Sequence, residues 1–244
     1  MSTTRTTTQQ RPVTIGLKWR YLLYIPLILM SIFYLIPLYV MVITGFKSFG
    51  EISLVTMWDL PKSLGFYNFT EAFDKLGPYL LNSFKMVIPA AIISSFVGSV
   101  NGFVLAKWKF RGADVIFPLI LFGMFIPYQS ILIPLVQFMR ETGLYGSIPG
   151  LILVHIIYGI PITTLTFRNY YASIPKELVE ASRMDGAGLL GTYWHILLPL
   201  SLPSFVVVII WQFTSAWNDF LFAVALTNTQ SWPITVALNN MAGS

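Results

Sequence analysis

Apolar residues run without interruption through five stretches of the chain, residues 21–46, 86–106, 115–139, 142–167 and 196–218, and none of these contains an Asp, Glu, Lys or Arg. A bilayer core of about 30 Å is crossed by about 20 apolar residues coiled as a helix. A membrane β-barrel would instead alternate apolar and polar positions over segments of about 10 residues. The pattern therefore predicts an all-α, polytopic transmembrane helical bundle with five visible spans. A polar tail, residues 1–20, precedes a membrane domain of residues 21–244. The second stretch carries small residues four apart at Ala90, Ser94, Gly98, Gly102 and Ala106, a stripe along which another helix backbone can approach closely. Between the first two stretches, residues 47–85 hold turn punctuation at Pro61, Gly65, Gly77 and Pro78. A short helix is expected there around residues 68–76, with Asn68 as its N-cap. Residues 228–244 read as a polar, turn-like end.

The basic residues orient the spans. Arg5, Arg11, Lys18 and Arg20 precede the first, Lys107, Lys109 and Arg111 separate the second from the third, and Arg168, Lys176 and Arg183 follow the fourth. The opposite connections carry fewer, at Lys47, Lys62, Lys75, Lys85 and Arg140. The positive-inside rule places the N-terminus and residues 169–195 in the cytoplasm of a multi-pass membrane protein.

Composition agrees with the pattern. Of 244 residues 55% are hydrophobic and only 10% charged, against roughly 25% charged in soluble domains. The net charge of +5 comes from residues scattered between apolar runs. It forms no basic stripe with interleaved aromatics, so nucleic acid is not an expected partner. With no cysteine in the chain, disulfides, thiolate metal sites and cysteine nucleophiles are excluded together. No spacing suitable for a metal, no phosphate-binding loop and no Ser/His/Asp arrangement stands out, so no catalytic residue, metal site or cofactor is assigned to this chain.

The most informative stretch lies between the fourth and fifth spans. Pro175 suits the first turn of a helix, good helix formers run from Lys176 to Met184, and Gly186 is able to take the left-handed conformation that ends helices. A second apolar run, residues 189–198, then leads to Pro199 and the membrane. A short protruding helix with small residues at Ala181 and Ser182 offers a place for another protein to grip.

This stretch resembles the cytoplasmic signature of ABC importer permeases, written E-A-A, three residues, G, nine residues, I, one residue, L-P. Here it reads Glu180-Ala181-Ser182, then Gly186, Ile196 and Leu198-Pro199 in the same register, with Ser182 in place of the second alanine. Further motifs resemble the carbohydrate-importing, maltose-type branch, and within it the second of two paired permeases. These are Leu81-Asn82-Ser83, Ala106-Lys107 with Phe110-Arg111-Gly112, Ile126-Pro127-Tyr128-Gln129 with Ile133-Pro134-Leu135, and Trp217-Asn218-Asp219. The likeness covers nearly the whole chain. It implies a subunit that pairs with a second permease, docks an ATPase dimer on the cytoplasmic face and receives solute from an external binding protein. ATP and Mg would be bound by the ATPase. Glu180, Ala181, Ser182, Asp185 and Gly186 would form the coupling helix. The family core normally has six spans, so a sixth is expected beyond the five.

The implied solute is a sugar or sugar-like compound, with a polyol or a glycerol-linked compound as the alternative. Sugars take amides and hydroxyls for their OH groups and aromatic faces for their C–H faces; Tyr128, Gln129, Trp217 and Asn218 have this chemistry. For Gln129, Gln137, Asn101 and Tyr128 the competing role is hydrogen bonding between helices. His155 has no second His or carboxylate at helical spacing and reads as a neutral imidazole bonded to a neighbouring helix. His195, beside Trp194, reads as interfacial. A secondary transporter or channel would show buried charges or an internal repeat, and neither is evident in the sequence.

Overall fold

The computed structural model describes residues 17–108 and 110–242, with side chains from residue 21 onward. Arg5, Arg11 and Lys109, invoked above for orientation, lie outside the described residues. The described residues are helical without strands, and the chain divides into two compact units, residues 1–73 and 74–244.

In the first unit, α1 (Leu17–Gly45) tolerates Pro26 and Pro37 in its interior, and every side chain from Tyr21 to Tyr39 is exposed. An apolar helix exposed all round has lipid or another protein as its solvent. The loop beyond it is not loose. Lys47 is buried and its Nζ donates to the carbonyl of Thr56 at 2.6 Å, while Phe46 packs between the rings of Phe66 and Phe69. Asn68 does not cap the helix that follows. Its amide donates to the carbonyls of Gly45 (3.1 Å) and Lys47 (2.7 Å), so it closes the end of α1, where carbonyls otherwise lack partners.

The short helix expected at residues 68–76 merges with the second span into α2 (Tyr67–Lys107), and both Gly77 and Pro78 lie inside it. Proline is absorbed where neighbouring groups replace the lost backbone bond.

In the second unit the small-residue stripe packs α2 on α5 (Ile148–Ser173). A Cβ on Gly98 would lie 2.1 Å from Thr163 Oγ1, and one on Gly102 would lie 2.6 Å from the backbone nitrogen of Arg168. Thr163 Oγ1 donates to the Ser94 carbonyl at 3.0 Å, and Asn101 bonds Thr164 at 3.5 Å. A third helix joins through Gln212, whose Nε2 donates to Ser94 Oγ at 3.0 Å.

Three of the predicted spans have a different shape in the structure. The third breaks into α3 (Ala113–Phe122) and α4 (Leu132–Glu141), bent by 87°. Two short 3-10 turns, Gly123–Phe125 and Tyr128–Ile131, lie at the break. Pro127 has no N–H to donate and holds Ile126 extended, at ψ 116°. The fourth starts later than predicted, where Ser147 caps α5 by accepting from the Gly150 N–H. Before the fifth come α6 (Lys176–Met184), α7 (Leu189–Thr192), a π-helical turn (Tyr193–Leu197) and α8 (Leu198–Leu200); the stretch Leu189–Leu200 meets α9 (Leu202–Trp217) at 76°. Among the described residues three helices are thus long and apolar enough to cross a membrane uninterrupted, or up to five if each bent pair is one span.

After α10 (Leu221–Leu226), the end expected to be turn-like is so only up to residue 233; it then forms α11 (Ile234–Ala242), with Ile234, Val236 and Ala237 buried. Leu81-Asn82-Ser83 supplies the anchor. Asn82 donates to the carbonyls of Gln230 and Trp232, and Ser83 Oγ accepts from the Ile234 N–H at 2.8 Å.

Candidate functional site

Two hydrophobic clusters occupy opposite ends of α2 and α5. One gathers Met86, Val87, Leu151 and Val154 with residues of α9, α10 and α11; the other gathers Phe103, Phe167 and Tyr171 with Val179, Tyr193 and Leu197. Each backs one of the two regions singled out in the sequence.

At the second cluster, α6 presents its charged face outward and buries only Val179 and Ser182. Glu177 in its first turn and Arg183 in its last complement the helix dipole. Its end is a Schellman closure: the Ala187 N–H bonds the Ser182 carbonyl (2.9 Å) and the Gly186 N–H bonds that of Arg183 (3.0 Å). Gly186 has φ +83° with open space where a Cβ would stand. Glu180, Ala181, Asp185 and Gly186 are exposed, as is Met184, at 89%. Ser182 is the exception among the five candidates. It faces inward, bonding the Val179 carbonyl and Thr192 Oγ1 at 2.8 and 2.9 Å, so it fixes α6 on α7 and is not available to be gripped from outside.

The segment is tied to the bundle at several points. Lys107 Nζ donates to the Ile174 carbonyl at 2.5 Å, and the Arg183 guanidinium lies 4.8 Å from the Trp108 ring centre. Beneath it, Ser99 Oγ lies 2.7 Å from Tyr171 Oη and 3.0 Å from Tyr193 Oη, and Tyr171 also bonds Ser201, all four hydroxyls buried together. His195 is exposed, with Nδ1 3.0 Å from the Gly191 carbonyl.

At the first cluster a cavity of about 710 Å³ opens between α5, α9 and the start of α10. Tyr128 and Asn218 line it together with Tyr158, Trp211, His155 and Asp219. Of the four residues predicted for a solute route, two are therefore brought together. Gln129 is exposed and outside this lining. The Trp217 ring is packed away from it, stacked on Phe213 at 5.6 Å and against Phe84 at 5.1 Å.

The sequence reading missed the pairing of His155 with Asp219. The His155 Nε2 lies 3.6 Å from Asp219 Oδ2, too far for a hydrogen bond, and it has no hydrogen-bond partner. The imidazole thus faces a carboxylate, and the hydrogen bond from this Nε2 to a neighbouring helix expected above is not made. Asp219 is held by the N–H groups of Phe222 and Ala223, and its own carbonyl accepts from Thr235 Oγ1 at 3.0 Å. Helical spacing within one span could not reveal this pair, since Asp219 follows the end of α9. The available signal was an acidic residue directly after Trp217-Asn218.

Residues 98–243 match the family of binding-protein-dependent transport system inner membrane components. A probable ABC transporter permease protein of Pyrococcus horikoshii is 46% identical over 92% of this chain and 82% of its own length. The xylose/arabinose import permease protein of Haloferax volcanii is 34% identical over 87% of this chain and 76% of its own. The glucose import system permease protein of Saccharolobus solfataricus is 33% identical over 91% and 80%. In fold, the chain is similar to one in the crystal structure of a bacterial ABC transporter that imports the acidic polysaccharide alginate. That likeness has a TM-score of 0.76 at 24% identity and covers 93% of this chain and 81% of the other. Members of the family are transport subunits, with ATP hydrolysed by a partner ATPase and solute delivered by a binding protein. The chain belongs to the binding-protein-dependent transport system inner membrane components, and is a multi-pass permease subunit of an ABC importer.

Proposed function

We propose that this permease forms, with a second and different permease, the route by which a sugar or sugar-like solute crosses the membrane, its N-terminus lying in the cytoplasm. Relatives named for xylose/arabinose and glucose import support the solute class. A cavity walled by tyrosine, tryptophan, amide and hydroxyl side chains is suited to it. Tyr128 and Asn218 contact the solute; Trp217 orients this wall by packing beneath it, and Gln129 lies at the edge of the same route. Glu180, Ala181, Asp185 and Gly186 form the surface on which the ATPase docks, with Ser182 fixing its shape from behind. ATP and Mg are bound by the ATPase. The observation that carries the reading is the capped, outward-facing helix bearing the family signature, with Glu180 exposed at its centre.

The test is uptake of a panel of pentoses, hexoses and disaccharides into vesicles containing both permeases, the ATPase and the binding protein, with Glu180→Lys beside the parent. Like charges brought together across an interface cost several kcal/mol, so if Glu180 meets a basic partner, docking weakens at least a hundredfold. The parent imports a panel member in an ATP-dependent way. Glu180→Lys inserts and pairs normally, but loses solute-stimulated hydrolysis and releases the ATPase on washing. Normal transport by this variant with the ATPase firmly bound overturns the coupling assignment, and ATP-driven import of none of the panel overturns the solute class.

A further inference from the structure

The cavity beside His155 carries a charge that the sugar reading does not call for. Asp219 places its side chain in the wall, 13% exposed, and its two oxygens are aimed by the N–H groups of Phe222 (3.4 Å) and Ala223 (3.1 Å). A carboxylate offers about four lone-pair sites, and these two bonds leave acceptor capacity over. Beside it in the same wall stands His155, 10% exposed, its Nε2 buried without a hydrogen-bond partner. No Lys or Arg lines this cavity among the described residues, and the neighbouring cavity of about 250 Å³, which shares His155, Tyr158 and Trp211, has none either. A fixed carboxylate here thus lacks a permanent cation beside it, in a setting where charges are screened far less than in water.

We propose that Asp219 is a charge filter in the solute route: its carboxylate accepts hydroxyl groups of a neutral polyhydroxylated solute and repels solutes bearing a carboxylate or phosphate. The inference rests on the reading of the chain as a sugar importer permease and narrows it, because acidic sugars and phosphorylated glycerol derivatives are then poor substrates. Specificity comes from the repulsive element as much as from the attractive one. A hydroxyl gains a strong charge-assisted bond at Asp219, whereas an anion meets a like charge that has no room to withdraw.

The absence of native cysteine allows a direct measurement. Thr214, which lines the same cavity, is changed to cysteine in the membrane-embedded importer assembled from cysteine-free partners. Its rates of modification by trimethylammonium-ethyl and sulfonato-ethyl methanethiosulfonate are then compared. Relative to a free thiol in solution, the cationic reagent is favoured about tenfold or more. In D219N the preference falls to that of the free thiol; Asp219→Glu, which keeps the charge, retains it. A parent with no cationic preference, a preference unchanged in D219N, or a cysteine that neither reagent reaches overturns the filter. The parent measurement decides even if D219N fails to assemble. The outcome is independent of the uptake panel: loss of the charge preference leaves the importer reading standing, and failure of every sugar to be imported leaves the filter measurable.

Discussion

The two ends of the 74–244 unit are built by different means. The end proposed to dock the ATPase is assembled from neighbours in sequence: α6 closes on Gly186, Ser182 bonds Thr192, and Glu180 faces outward, all within one short segment. The cavity end is assembled from residues far apart in the chain. His155 of α5 meets Asp219, Asn82 and Ser83 hold the loop before α11, and Tyr128 comes from a break between helices. A docking surface must keep one shape while the bundle around it moves, and local closure makes that shape independent of the bundle. A solute route must change shape, and contacts between distant elements let it do so when those elements shift.

The strongest way to break this contrast is to remove what both ends share. Gly98→Val places a side chain where a Cβ alone would lie 2.5 Å from Thr163 Cβ and 2.8 Å from its backbone carbon. Overpacking costs about 1–3 kcal/mol where side chains can adjust; against backbone the cost lies above that range. The expected outcome is loss of a monodisperse permease in detergent, with coupling and cavity both gone. Thr163→Ala gives no rescue, because the backbone carbon remains. A folded, transporting Gly98→Val variant would show that α2 and α5 are not in fixed contact.

An effect confined to one end sharpens the contrast. Gly186 has a left-handed backbone and open space for a side chain, so substitution there is decided by φ alone. A left-handed residue costs about 1–2 kcal/mol, most for a β-branched side chain and least for Asn. Gly186→Val is expected to lower solute-stimulated hydrolysis about tenfold while thiol accessibility in the cavity stays at the parent rate; Gly186→Asn stays close to the parent in both. Equal loss in the two variants would make the glycine a matter of space at the ATPase and not of backbone.

The same contrast explains what could be read from the sequence. Gly186 and the run of helix formers before it specify a helix and its end by local rules, and the structure follows them, with Pro175 at the N-cap, just before the first turn expected for it. The small-residue stripe is likewise a property of one helix, and it packs as its spacing predicts. Long-range features were not legible. Nothing near Asn68 shows that its amide will serve α1, and nothing in α5 shows that His155 will face Asp219. Five apolar runs marked candidate membrane segments but not their bends, because hydropathy is blind to a backbone that turns by 87° at Pro127. The helix at residues 234–242 escaped for a related reason: its polar positions disguise a buried face of Ile234, Val236 and Ala237 that only packing on the first cluster reveals.

The smallest expected effect separates shape from contact within the coupling end itself. Ser182 is the one position at which the signature departs from E-A-A, and its hydroxyl is buried against Thr192. Ser182→Ala restores the signature but leaves the Thr192 hydroxyl, itself 3% exposed, without that partner. An unsatisfied buried group costs about 1–3 kcal/mol, whereas removing both partners together is nearly neutral. Ser182→Ala alone is therefore expected to lower the resistance of the permease to denaturation by about 1 kcal/mol, and Ser182→Ala with Thr192→Val to recover most of it. Docking and hydrolysis should stay near the parent in both, since neither side chain reaches the exposed face of α6. A double-mutant cycle on thermal unfolding, run beside an ATPase-retention assay, reads the two quantities separately. Loss of ATPase retention in Ser182→Ala without loss of stability would mean that the serine is recognised directly, and that the face presented to the ATPase includes the side of α6 now packed on α7.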